Sequence, residues 1–193
     1  MSSEKNPTRS RILNATWNLL ENGGGNAVRM SDIAKAAKIS RQALYLHFPN
    51  RAELLIATAR HLDEVHEVDR MLAASRAATG PDRLDAWIEA WGGYIPRVFG
   101  MAKALMAMMD SDTEAAAAWQ DRMDAVRDGC RAAVQALVES GDLRPGLTAD
   151  EATDLLSALL SVRTWEQLRH DRGWTQGRYI EVIGATARRS LMA

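Results

Sequence analysis

A run of 19 residues, MSDIAKAAKISRQALYLHF from Met30 to Phe48, carries the side chains whose types and spacing could do chemistry. Ile33, Ala34 and Ala37 form the apolar stripe of one short helical pattern, and Leu44 with Phe48 form that of a second. Ile39 falls between them, just before Ser40, whose hydroxyl can cap the second helix. Arg41, Gln42 and Ala43 open that second helix, while Tyr45 and His47 lie off its Leu44/Phe48 face. A stretch this short cannot bury a core of its own. Its chemistry is recognition through the exposed side of the second helix, and a DNA major groove has about the right width for one helix.

Other chemistries find little support. There is no Gly-rich phosphate loop, no His-Glu-x-x-His and no Cys–His pairing, so an enzyme is not expected. His61 and Glu64 stand three apart, but two such groups on a polar helix read as a solvated face, and no metal or cofactor is expected. The single Cys130 sits in an apolar helical stripe and reads as core. It fits a reducing compartment, and with no apolar signal region in MSSEKNPTRSR and no membrane-length apolar stretch the expected location is the cytoplasm. Charge is asymmetric. Residues 1–60 hold nine Lys/Arg and four Asp/Glu, a net +5, and the remainder carries −6. A basic head on an acidic body suits phosphate binding by the head alone.

The elements that must position this run are helical throughout, since no sustained period-2 alternation appears. The spacing predicts an all-α chain of about nine helices. Ile12 to Leu20 form a first helix ending at the Gly23-Gly24-Gly25 run, where glycine supplies a left-handed cap. After the run, Asn50 can cap a long helix continuing to about Ser75, a rod of roughly 38 Å. Gly80-Pro81 marks a boundary. Beyond it, Gly92-Gly93 and Pro96 should kink or split the next helix. Another helix runs through Trp119 and Leu137 and is closed by Gly141 and Pro145. Thr148 with Glu151 forms a capping box for a helix reaching Leu168, and Thr175 caps a last one.

Within the run, a small residue is required where two helices cross, which Ala34 supplies. The turn needs a left-handed residue, where Lys38 stands instead of the usual Gly, a departure costing about 1 kcal/mol. The pattern as a whole resembles the tetracycline-repressor-like (TetR) family of bacterial transcription regulators. The matching residues are Ile12-Leu13 with Ala15, Ile33-Ala34-Lys35-Ala36-Ala37, Ile39-Ser40, Leu44-Tyr45-Leu46-His47-Phe48, and Arg51 followed by Glu53-Leu54-Leu55. The resemblance covers roughly residues 9–55, and Arg51 stands where the family usually has Lys.

That resemblance implies residues 1–55 as a three-helix helix-turn-helix DNA-binding domain and residues 56–193 as a helical effector-binding and dimerisation domain. It implies a homodimer with two recognition helices about one DNA turn apart on a near-palindromic double-stranded operator. Arg41, Gln42 and Ala43 would face base edges: Arg suits guanine, Gln adenine, and Ala a thymine methyl. Tyr45, His47 and Arg51 would touch phosphates or sugars, with intradomain packing the other reading for Tyr45 and His47. The Ser40 hydroxyl would share a phosphate at the helix N-terminus, and Arg29 would reach the backbone.

The body is rich in Trp and Met. Trp87, Trp91, Tyr94, Val98, Phe99, Met106, Met109, Trp119, Met123 and Trp165 could line a cavity for a flat or greasy small-molecule effector, or could be plain helical core. The helix from Ala152 to Leu168 is apolar on two sides, which predicts that the last two helices (about 149–170 and 176–192) pair with a second copy. A repressor released by its effector is the expected function. The alternative is a ligand-binding or protein-interaction module of the same fold that no longer reads DNA, with Lys38 and Arg29 as its signs.

Overall fold

The computed structural model describes residues 7–23 and 28–193; the expected glycine cap at Gly24-Gly25 and the N-terminal Lys5 lie outside them. The regular secondary structure of the described residues is α-helical apart from one π-helical turn and an isolated bridge between Leu143 and Met192. The helices are α1 Pro7–Asn22, α2 Met30–Ala36, α3 Arg41–His47, α4 Arg51–Val65, α5 Val68–Met71, α6 Ala73–Ala77, α7 Gly80–Met108, α8 Thr113–Ser140, α9 Ala149–Leu159, α10 Val162–Glu166 and α11 Gln176–Leu191. The π-turn, Gln167–Asp171, follows α10 directly. No helix among the described residues is long and apolar enough to cross a membrane.

The chain divides into two compact units. The first holds residues up to His66 together with Val98–Arg122, and the second holds Glu67–Arg97 and Met123–Ala193. The division therefore falls inside α7 and inside α8. In the first unit α1 to α4 close around Ile12, Leu20, Ile33, Leu44, Phe48, Leu54, Leu55 and Leu62, all at most 2% exposed, with Leu105 and Ala118 joining the same core. In the second, Leu84, Ile88 and Ile95 of α7 and Cys130, Val134 and Leu137 of α8 are buried, as are Leu156 of α9 and Tyr179 of α11.

Several local expectations hold at their residues. Asn50 caps α4 by accepting from the Glu53 N–H, Thr148 and Glu151 form a reciprocal capping box on α9, and Thr175 caps α11. Three do not. The helix from Asn50 stops at Val65 instead of reaching Ser75: Val65 is nearly half exposed, Glu67 turns left-handed (φ 52), and short α5 and α6 follow. Past Leu62 none of Val65, Val68, Met71 and Leu72 is buried, so no packed face carries a longer rod.

Pro96 does not split its helix, because α7 runs through it for 29 residues. Proline leaves the carbonyl four residues back without its helical N–H. Here that carbonyl, Gly92 O, accepts from Gln176 Nε2 at 2.7 Å, and Gln176 Oε1 in turn accepts from the Trp165 indole at 3.0 Å. The absent side chain at Gly92 also matters, since a Cβ there would press Ile180 and Tyr179 at 3.3 and 3.5 Å. The third departure is the helix expected to reach Leu168. It ends at Leu159, and Ser161 caps a fresh start at α10 by accepting from the Thr164 N–H.

Candidate nucleic-acid interface

The interface is built on α2, a four-residue turn and α3. Ala34 is 3% exposed where the two helices cross, and Ile33, Ala37 and Leu44 are fully buried beneath them. Lys38 is left-handed (φ 54), as the turn demands. Its N–H donates to Lys35 O and the next N–H, Ile39, donates to Ala34 O, which is the Schellman arrangement that ends a helix. Arg11 Nε donates to Ala37 O at 2.9 Å, so another carbonyl at the end of α2 is satisfied from α1. Ser40 then caps α3, its hydroxyl accepting from the Ala43 N–H at 3.0 Å. At the far end Arg9 donates to His47 O and lies 4.2 Å over the Phe48 ring. Arg9 and Arg11 thus hold the two helix ends together, a role their contribution to the basic head did not reveal.

Successive helical residues turn by about 100°, so one face of α3 is readily followed. Leu44 is buried, Ala43 and His47 are half-buried, and Arg41, Gln42, Tyr45 and Leu46 are exposed. The Arg41 guanidinium sits 6.0 Å above the Tyr45 ring. Beside them Arg29 is exposed in extended conformation just ahead of α2, and Ser40 is exposed at the head of α3. Arg29, Lys35, Lys38 and Arg41 form no ion pair among the described residues. An open cleft of about 410 Å³ is lined by Arg29, Ser31, Arg41, Tyr45, Arg51 and Asp112, among others.

Arg51 corrects the sequence reading. It was expected on phosphate, yet it is 9% exposed, with Nε and Nη1 engaged within the first unit and Nη2 beside the Met108 sulfur. Nε donates to Val28 O at 2.5 Å, while Nη1 reaches both oxygens of Asp112 (3.0 and 2.8 Å) and lies 3.4 Å from Glu114. Asp112 also accepts from the N–H groups of Glu114 and Ala115, capping α8. Burial works to raise the Asp112 pKa; the Ala115 N–H, the Arg51 charge and hydrogen bond, and the Glu114 N–H outweigh it and hold the carboxyl below its ordinary value. Glu114 adds a bond from the Ala52 N–H, so the first turn of α4 is moored to the first turn of α8.

The ten residues proposed to line an effector cavity do not share one unit. Trp87, Trp91, Tyr94, Met123 and Trp165 lie in the second, and Val98, Phe99, Met106, Met109 and Trp119 in the first. Trp87 stacks on Trp91 with centroids 6.4 Å apart, and its ring occupies the space a Cβ on Gly129 would need. The Trp91 indole donates to Leu160 O at 2.9 Å. Val98 and Trp119 pack on the core of the first unit. Trp87 is buried, and Trp91, Val98 and Trp119 are half-buried. Ser31, which lines the cleft, and the exposed Lys35 and Leu46 stood in the sequence motif without a role of their own.

With this geometry in place, comparison with known proteins is informative. Residues 12–58 match the family of bacterial regulatory proteins, tetR family. The chain is 37% identical to the HTH-type transcriptional regulator TtgR of Pseudomonas putida over 82 residues, 42% of this chain and 37% of that one. It is 26% identical to the HTH-type transcriptional regulator UidR of Escherichia coli over 185 residues, 92% of each. Its fold is similar to that of the transcriptional regulator FadR from Bacillus subtilis in complex with stearoyl-CoA, with a TM-score of 0.71 at 18% identity over 92% of this chain and 96% of that one.

Proposed function

We propose that this chain, a TetR-family DNA-binding transcription regulator and not an enzyme, is a homodimeric repressor that leaves a near-palindromic operator when an apolar or aromatic small molecule binds. The observation that carries the DNA reading is the face of α2 and α3. Arg29, Lys35, Lys38 and Arg41 are exposed and form no ion pair among the described residues, and Arg41, Gln42 and Tyr45 stand on a helix whose opposite side is core. Arg41 and Gln42 read base edges, each bidentate pair giving about 1–3 kcal/mol of discrimination. Ser40, Tyr45, His47 and Arg29 contact backbone, and Ala43, half-buried, packs on a thymine methyl at the edge of the contact.

Leu155 on α9, 46% exposed, and the half-buried Ile180 and Val182 on α11 support pairing of these two helices with a second copy. The effector reading draws support from the Trp- and Met-rich body and from FadR, a protein of this fold that holds stearoyl-CoA. Release requires only that the effector favour a conformation in which the two heads leave register, a coupling of about 1–3 kcal/mol. The Arg51–Asp112 mooring gives α8 a direct hold on α4 through which such a change passes.

In vitro selection of bound DNA followed by mobility shift tests this reading. Arg41→Ala and Gln42→Ala should each change the selected bases, and a ligand found by thermal shift should release wild-type protein from the selected site. If neither substitution alters sequence preference, α3 is not the reading helix.

A further inference from the structure

Leu46 is 83% exposed, far beyond the next large apolar side chains, Val65 at 48% and Leu155 at 46%. Isolated leucines on a protein surface are ordinary, so exposure alone decides nothing. Its position does. Leu46 stands one turn after Gln42 and three residues after Ala43, on the arc of α3 that also carries Arg41 and Tyr45. A helical side chain leans toward the N-terminus and covers the turn before its own Cα, so Leu46 lies over the Gln42–Ala43 surface. Leu44 and Phe48 already fill the core beneath α3, at 0% and 1% exposure, and Leu46 takes no part in it among the described residues.

We propose that Leu46 is a specificity-determining residue that packs on the C5-methyl of a thymine within about two base pairs of the one Gln42 contacts. The inference rests on α3 being the recognition helix. The thymine methyl is the one apolar group that the major-groove edges of the base pairs present, so an isobutyl side chain there discriminates thymine from every other base without a hydrogen bond. It also makes the apolar contact that the sequence assigns to Ala43 alone, whose half-buried methyl reaches less far from the helix axis.

The test is a thymine-to-uracil scan, which removes a methyl and leaves every hydrogen-bonding group in place. Full-length protein selects its operator, and each symmetry-related thymine pair is then replaced by uracil and affinity is read by fluorescence anisotropy at fixed salt. One pair should weaken wild-type binding about fourfold per half-site, the worth of one buried methyl group. Leu46→Ala should bind the thymine operator with a similar loss and become indifferent to uracil at that pair alone. Arg41→Ala should keep the uracil sensitivity while changing preference elsewhere. Wild-type binding that is insensitive to uracil at every position overturns the assignment. So does uracil discrimination that Leu46→Ala leaves unchanged at every pair, or a Leu46→Ala loss that is uniform over all sequences, the mark of a sugar or phosphate contact. Failure to select any sequence overturns the recognition-helix reading itself, and this assignment with it.

Discussion

Lys38 holds φ 54 where a Cβ meets the carbonyl beyond it, and both turn hydrogen bonds are nonetheless made. The strain is stored in one exposed residue. Lys38→Gly should therefore raise stability by about 0.5–1 kcal/mol in urea unfolding, and Lys38→Val should lower it by at least as much. Because Lys38 also adds a cation beside α3, the glycine variant should bind DNA more weakly at low salt despite being more stable. Arg51 makes the opposite case. Arg51→Ala should cost about 2–4 kcal/mol in the same measurement, less than for a fully buried pair because the Asp112 side chain keeps 19% of its exposure. Arg51→Lys should recover only part, since an ammonium cannot serve Val28 O and two carboxylate oxygens at once. Asp112 is held below its ordinary pKa, so its stabilising effect is complete above about pH 4 and fades as pH falls through the folded-state value. The urea-midpoint gap between wild type and Asp112→Asn should stay level from near neutral to about pH 5 and narrow below about pH 4.

At the scale of elements, α7 shows how a helix survives its own proline. The Gly92 carbonyl freed by Pro96 is taken by Gln176, and Gln176 is held by Trp165. Three elements, α7, α10 and α11, meet at that amide. Gln176→Leu should destabilise by about 1–3 kcal/mol, because it leaves a buried carbonyl and an indole N–H unpaired. In a Pro96→Ala background the restored backbone N–H can serve Gly92 O, so the same substitution should cost less, with a coupling of about 1 kcal/mol in a double-mutant cycle. Additive costs would mean that Gln176 does not act through the Gly92 carbonyl.

At the scale of the whole molecule, the two units share α7 and α8, and their surfaces differ in kind. The first unit presents cations and hydrogen-bonding groups around α3, while the second presents Leu155 on α9. If α9 and α11 pair with a second copy, Leu155→Arg should convert a dimer to a monomer in sedimentation velocity. Operator affinity should then fall by about 10²-fold, since two linked heads are replaced by one. A variant that stays dimeric with unchanged affinity would place the dimer contact elsewhere.

Features governed by residues a few positions apart were legible in the sequence. The caps at Ser40, Asn50, Thr148 and Thr175, the left-handed Lys38 and the buried stripe of α2 and α3 all follow from side chains reaching their own helix ends. The helix-turn-helix and its match to the tetR family of bacterial regulatory proteins were legible for the same reason, because residues 12–58 carry them contiguously. Tertiary structure alone decided the rest. Arg51 carries the same donors whether it meets a phosphate or a carboxylate, and only the chain fold brings Asp112 to it from 61 residues away. Likewise Pro96 reads as a breaker until Gln176 arrives from another helix, and the structure leaves Leu46 on the open side of α3 while Leu44 and Phe48 fill the core. Sequence states what each group can bond; packing determines which partner lies within reach.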